Sequence, residues 1–169
     1  MIKSQEILST TLQSVILVVC SYLCGFYFTM LFHEPTSYVG GLWAAISGII
    51  VIDSTASATL HSARIRIVGS LTGAIVSGFY LYFFNFSIYG YGICIASGVA
   101  LCYLLRVQNA IKLTGITISV ILIVSTVEKE LVPVVNAGLR FAESAIGTGI
   151  ALAVAFTAFY LSKLKSKKA

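Results

Sequence analysis

Two arginines head segments of the same design. Residues 66–73 and 140–147 both keep R-x3-S-x2-G, with Arg66, Ser70 and Gly73 in one and Arg140, Ser144 and Gly147 in the other, 74 positions apart. Each leads into about twenty mostly apolar residues, the length of a membrane span. A guanidinium offers a planar fork of donors to a carboxylate or phosphate, and an ionisable residue inside a membrane helix marks function by default. The chemistry to expect is anion recognition within a bilayer. Glu143, three residues after Arg140, is placed either to form an i,i+3 ion pair or to carry a coupled proton. Asp53 precedes Ser54, Thr55, Ser57 and Thr59; it can accept a proton or pair with Arg64 or Arg66. Trp43, beside Gly40 and Gly41, is either an interfacial belt residue or a ring that stacks on an aromatic substrate. Thr117, with Thr114 and Ser119, either lines a pore or bonds its own helix backbone. Gly41, Gly69, Gly73 and Gly147 are candidates for close helix packing, Gly69, Gly73 and Ser77 following small-xxx-small spacing.

Other chemistries find no support. His33 and His61 stand alone, and no Ser/His/Asp, HExxH, Walker or GxGxxG pattern occurs. The sequence predicts no catalytic residues, no metal, no cofactor and no direct use of ATP. Cys20, Cys24, Cys94 and Cys102 lie in apolar runs without CxxC spacing, and read as small apolar fillers.

The elements that position these residues must be membrane helices. The chain has 169 residues, 58% hydrophobic and 10% charged, against roughly a quarter charged in soluble domains. So few charges cannot coat a water-facing surface. Six apolar runs are expected as transmembrane helices, at 12–32, 38–53, 65–84, 88–105, 113–127 and 134–161. A six-helix transmembrane domain over 12–161 then lies between a cytoplasmic N-terminal segment, 1–11, and a basic tail, 162–169. Nine basic residues fall on one set of connections and ends: Lys3, Arg64, Arg66, Arg106, Lys112, Lys163, Lys165, Lys167 and Lys168. Only Lys129 and Arg140 fall on the other. By the positive-inside rule both termini face the cytoplasm. The basic tail suits anionic lipid rather than nucleic acid, and the first apolar run is too long for a signal peptide. The 74-residue offset maps halves at about 12–84 and 88–161 onto each other, pairing Ala63 with Ala137 and Gly41 with Gly115 besides the two arginine segments. With three helices in each half, the repeat would be inverted. Arg66 then sits at an inner helix mouth and Arg140 at an outer one, as two gates of one kind.

Leu42, Trp43, Ala44, Ala45, Ile46 and Ser47, running on to Val51, Ile52, Asp53, Thr59 and Leu60, resemble the second-helix signature of the fusaric-acid-resistance and aromatic acid exporter family. Arg66 with Gly69, Ser70, Gly73 and Ala74 is similar to that family's R-x-x-G-T-x-x-G-A. Arg140 with Glu143, Gly147 and Ala151 is similar to its R-x-x-E-x-x-x-G. Together these span about residues 38–155. Plant aluminium-activated malate transporters belong to the same broad group. The resemblance implies a six-helix membrane domain that moves organic anions such as aromatic carboxylates, acting as a homodimer or higher oligomer in an inner or plasma membrane. Position 70 is Ser where the family has Thr more often, and the large cytoplasmic domain that usually follows is absent.

The function expected is therefore proton-coupled export of organic anions, with Arg66, Arg140, Trp43 and Thr117 on the substrate and Glu143 or Asp53 on the proton. The alternatives are a passive anion channel and a non-transporting membrane subunit packed against a larger partner.

Overall fold

The computed structural model describes residues 4–166. Lys3, Lys167 and Lys168, assigned above to cytoplasmic ends, lie outside the described residues, as does the side chain of Lys165. The described chain is a bundle of six α-helices: α1 (Ser4–Met30), α2 (Ser37–Val51), α3 (Ala56–Phe83), α4 (Ile88–Leu104), α5 (Ile111–Val127) and α6 (Pro133–Ser166). Single 3-10 turns, Glu34–Thr36 and Gln108–Ala110, precede α2 and α5. No strand occurs among the described residues.

By length and composition α1, α3, α5 with its preceding turn, and α6 can each cross a membrane. The shorter α4 has 17 residues and α2 has 15. At about 1.5 Å per residue these two reach roughly 22–26 Å, less than the ~30 Å hydrocarbon core. The outward surface is what lipid requires: Leu8, Leu31, Tyr89 and Leu104 are all more than two-thirds exposed, and no water-soluble protein would leave so continuous an apolar coat. The chain is an all-α, multi-pass membrane protein.

Helix ends follow local chemistry. Ser87 accepts the amide of Gly90 at 3.0 Å to cap α4. Pro133 opens α6, where a missing N–H loses nothing. Arg106 has φ 58° and stands where glycine normally ends a helix. Its amide reaches the Tyr103 carbonyl at 3.1 Å and that of Val107 reaches Cys102 at 2.9 Å, closing α4 in a Schellman motif.

One boundary differs from the sequence expectation and matters for the site. The Ser/Thr/Ala stretch after Asp53 is the first turns of α3, not a connection between the second and third apolar runs. Thr55 is the reason: its hydroxyl accepts the Ala58 amide at 3.1 Å and starts the helix there. Helix α3 thus begins nine residues earlier than its apolar run. Similarly α1 runs through residues 4–11 and α6 through 162–166, so both expected flanking segments are largely helix.

The interior is built on close backbone approach. A Cβ at Gly25 would lie 2.5 Å from the Ala44 Cβ and 2.7 Å from the Gly40 carbonyl oxygen; one at Gly147 would overlap the Ala44 carbonyl. These contacts bring α1, α2 and α6 together. Gly69 and Gly73 do the same for α3 against α5, at Leu113 and Thr117, and Gly41 lies against Tyr22. Lipid supplies no hydrophobic drive between helices, so such contacts supply dispersion instead. Gly147→Val is expected to destabilise the bundle by about 1–3 kcal/mol through overpacking. Gly149→Ala, where a Cβ meets nothing within 4 Å, is expected to be neutral or mildly stabilising. Thermal unfolding of both variants in one detergent checks the contrast.

Candidate functional site

Arg66 and Arg140 are completely buried. Arg66 lies ten residues inside α3 and Arg140 seven inside α6, roughly 15 and 10 Å from the helix starts. The expectation of arginines at helix mouths is corrected by this depth, which for Arg66 follows from the early start of α3. Each arginine is one turn before a serine, and those serines meet: Ser70 Oγ and Ser144 Oγ are 2.7 Å apart. The two segments, 74 residues apart in sequence, therefore touch where α3 and α6 pack.

The two guanidinium groups have different surroundings. Arg140 Nη1 is 2.9 Å from Glu143 Oε2, both side chains fully buried. Thr29, reaching in from α1, donates its hydroxyl to Glu143 Oε1 at 2.6 Å. Gly40 makes room for this carboxylate, since a Cβ there would come within 2.7 Å of Oε1. The i,i+3 pairing is thus the state of Arg140, and its charge is matched, although none of its guanidinium nitrogens makes a well-aligned hydrogen bond.

Arg66 is not matched. Its Nη2 donates to Ser47 Oγ at 2.8 Å, and its guanidinium carbon lies 4.9 Å from the centroid of the Trp43 ring, a cation–π contact. Nε and Nη1 have no hydrogen-bond partner, and no carboxylate pairs with Arg66 among the described residues. Trp43 joins the two halves of the site, because its Nε1 donates to the Arg140 backbone carbonyl at 3.0 Å. Trp43 is 5% exposed, so it is neither a belt residue nor an open platform: a guanidinium already lies over its ring.

The other sequence candidates lie elsewhere. Asp53 is exposed at the α2–α3 turn, where its Oδ1 accepts the amide and hydroxyl of Ser54 at 2.6 and 3.1 Å; it pairs with neither Arg64 nor Arg66. Thr117 is buried, donates to its own helix at the Leu113 carbonyl at 2.9 Å and packs on Gly73. The four cysteines are free; Cys94 and Cys102 are buried, while Cys20 and Cys24 are exposed on α1. Sequence reasoning missed Thr29 and Ser47. A signal for Thr29 was present: Ser21, Gly25 and Thr29 recur at every fourth position of an otherwise bulky apolar helix.

Arg66 is thus a buried cation held by a ring face and one hydroxyl, next to a buried ion pair. The family model described as fusaric acid resistance protein-like matches residues 28–154. The chain belongs to that family. It is a family of membrane transport related to organic-acid efflux, and the match contains both arginines, Trp43, Glu143 and Thr29. No curated protein matches the chain, and no solved structure does.

Thr29→Val is expected to lower stability by about 1.5–3 kcal/mol, the range for a hydrogen bond to a charged group, because it leaves Glu143 Oε1 buried without its donor. Thr29→Ser should restore most of the loss. Thermal unfolding of the two variants in the same detergent measures it.

Proposed function

We propose that the chain exports organic anions across an inner or plasma membrane, with Arg66 on Trp43 as the carboxylate-binding pair. The observation that carries this reading is the fully buried Arg66 guanidinium, which unlike Arg140 has no paired carboxylate among the described residues. Burying an unmatched charge in low dielectric is costly, and an anionic substrate removes that cost while it is bound. One unmatched positive charge calls for one negative charge, which favours monocarboxylates over dicarboxylates. Family membership supports the same substrate class.

Glu143 is the group to which this reading assigns the coupled proton. It is the one fully buried carboxylate among the described residues and lies on the arginine that Trp43 links to the substrate site. The two halves are read as an inverted repeat. Support comes from the 3-10 turns at Glu34–Thr36 and Gln108–Ala110, which differ by the same 74 residues as the arginines, and from the Ser70–Ser144 contact at the same offset.

Benzoate uptake into proteoliposomes, driven by a pH gradient, tests the assignment. Arg66→Ala is expected to lower kcat/KM by about ten- to a hundredfold, the loss of a charge-assisted bond, and Arg66→Lys to retain part of it. Unchanged flux in Arg66→Ala would refute the reading. Glu143→Gln is expected to make the remaining flux indifferent to the pH gradient. Continued acceleration by the gradient would remove Glu143 from the coupling.

A further inference from the structure

Four helices contribute one residue each to a tight apolar layer: Leu17 from α1, Val51 from α2, Ala63 from α3 and Ala151 from α6. All four are 3% exposed or less and form one contact cluster. One turn further into the bundle every one of these helices carries a buried polar residue. Ser21 follows Leu17 by four, Ser47 precedes Val51 by four, Arg66 follows Ala63 by three, and Thr148 precedes Ala151 by three. Residues three or four apart share a helix face, so the four polar side chains form a second layer directly behind the first. A contact around Gly48 shows the stacking: a Cβ there would lie 3.0 Å from Leu17 Cδ1, 3.0 Å from Ser21 Oγ and 3.2 Å from the Gly147 carbonyl oxygen.

This polar layer is under-satisfied. Ser21 Oγ, Thr148 Oγ1, Arg66 Nε and Arg66 Nη1 all lack a hydrogen-bond partner, although the three residues are at most 2% exposed. Serine and threonine in membrane helices ordinarily bond a backbone carbonyl one turn back, as Thr117 and Ser119 do here. On the other side of the apolar layer lies a cavity of about 990 Å³, lined by Thr10, Ser14, Asp53, Ser57, Ala155 and Phe159 among others. These residues sit one to two turns outward from the apolar layer on α1, α3 and α6, and on the α2–α3 turn.

We propose that Ser21 and Thr148 complete the carboxylate site of Arg66, and that Leu17, Val51, Ala63 and Ala151 form the gate between that site and the cavity. The proposal rests on the reading of Arg66 as the anion site. The hydroxyls turn to donate to the carboxylate oxygens that Arg66 does not reach, since a hydroxyl hydrogen rotates to suit its partner. Three of the four gate residues are alanine or valine, so the Leu17 side chain supplies most of the obstruction. Leu17 is on α1, whereas Arg66 and Trp43 are on α3 and α2.

The test is thiol accessibility in purified, cysteine-free protein, with Ser21→Cys behind the gate and Ser57→Cys in the cavity. The probe is sulfonatoethyl methanethiosulfonate, an anion. Ser57→Cys is expected to label promptly in every background. Ser21→Cys is expected to label slowly with Leu17 in place, about tenfold faster with Leu17→Ala, and at an intermediate rate with Leu17→Val. Benzoate should slow labelling of Ser21→Cys and leave Ser57→Cys unaffected. Equal labelling of Ser21→Cys in all three backgrounds would overturn the gate, and the milder Leu17→Val decides the matter where Leu17→Ala does not fold. Labelling that depends on Leu17 but is not slowed by benzoate would overturn the role of Ser21 at the anion site. Because labelling needs no transport, these results stand apart from the flux of Arg66→Ala, which tests the underlying reading.

Discussion

The structure depends on one constraint: a guanidinium sealed inside a membrane bundle without a carboxylate of its own. In a medium of low dielectric an uncompensated charge is penalised severely, and the bundle answers with weaker substitutes. The Trp43 ring provides a negative face at 4.9 Å, and Ser47 a single acceptor at 2.8 Å. Trp43 must then be fixed, and its indole N–H is tied to the Arg140 carbonyl across to α6. That bond needs α2 and α6 in close contact, which is why Gly147 lies against the Ala44 carbonyl. The glycine packing and the charge placement are parts of one arrangement.

The two arginine segments match in sequence, yet their charges are handled in opposite ways. The difference lies in positions at the same 74-residue offset that do not match. Position 143 is Glu, whereas position 69, 74 residues earlier, is Gly. Position 43 is Trp and position 117 is Thr. The second segment therefore brings its own counter-charge, and the first lies over an aromatic ring instead. Arg140 with Glu143 and Thr29 forms a buried ion-paired cluster, of the kind that is strongly destabilised when one partner is removed. Arg66 is the guanidinium left without a carboxylate.

Much of this was legible in the residues. Apolar run lengths and short polar connections give six helices, whereas the paired arginine motifs read as two separate gates and only the structure shows that their serines meet. The i,i+3 spacing offers the ion pair of Arg140 with Glu143 as one of two readings, and the structure shows it formed. What periodicity could not supply was depth. Arg66 reads as a helix-mouth residue because the turns before it are Ser, Thr and Ala, which look like loop; the Thr55 cap makes them helix and moves the arginine inward. Trp43 reads as an interfacial ring because tryptophan is usually found there, and only its neighbours show that it is core. Asp53 reads as a partner for a nearby arginine, but the chain turns it outward to Ser54. Long-range partners such as Thr29 and Glu143, 114 residues apart, leave no pairwise trace in a single sequence.

On the proposed reading Arg66 binds a carboxylate because no protein carboxylate neutralises it. Calorimetric titration of benzoate into the purified protein tests this without reference to transport. Measurable binding to the native protein is expected, with affinity weaker by at least about tenfold in Arg66→Gln, equivalent to about 1.4 kcal/mol or more. Equal affinity for benzoate in the two proteins would contradict it.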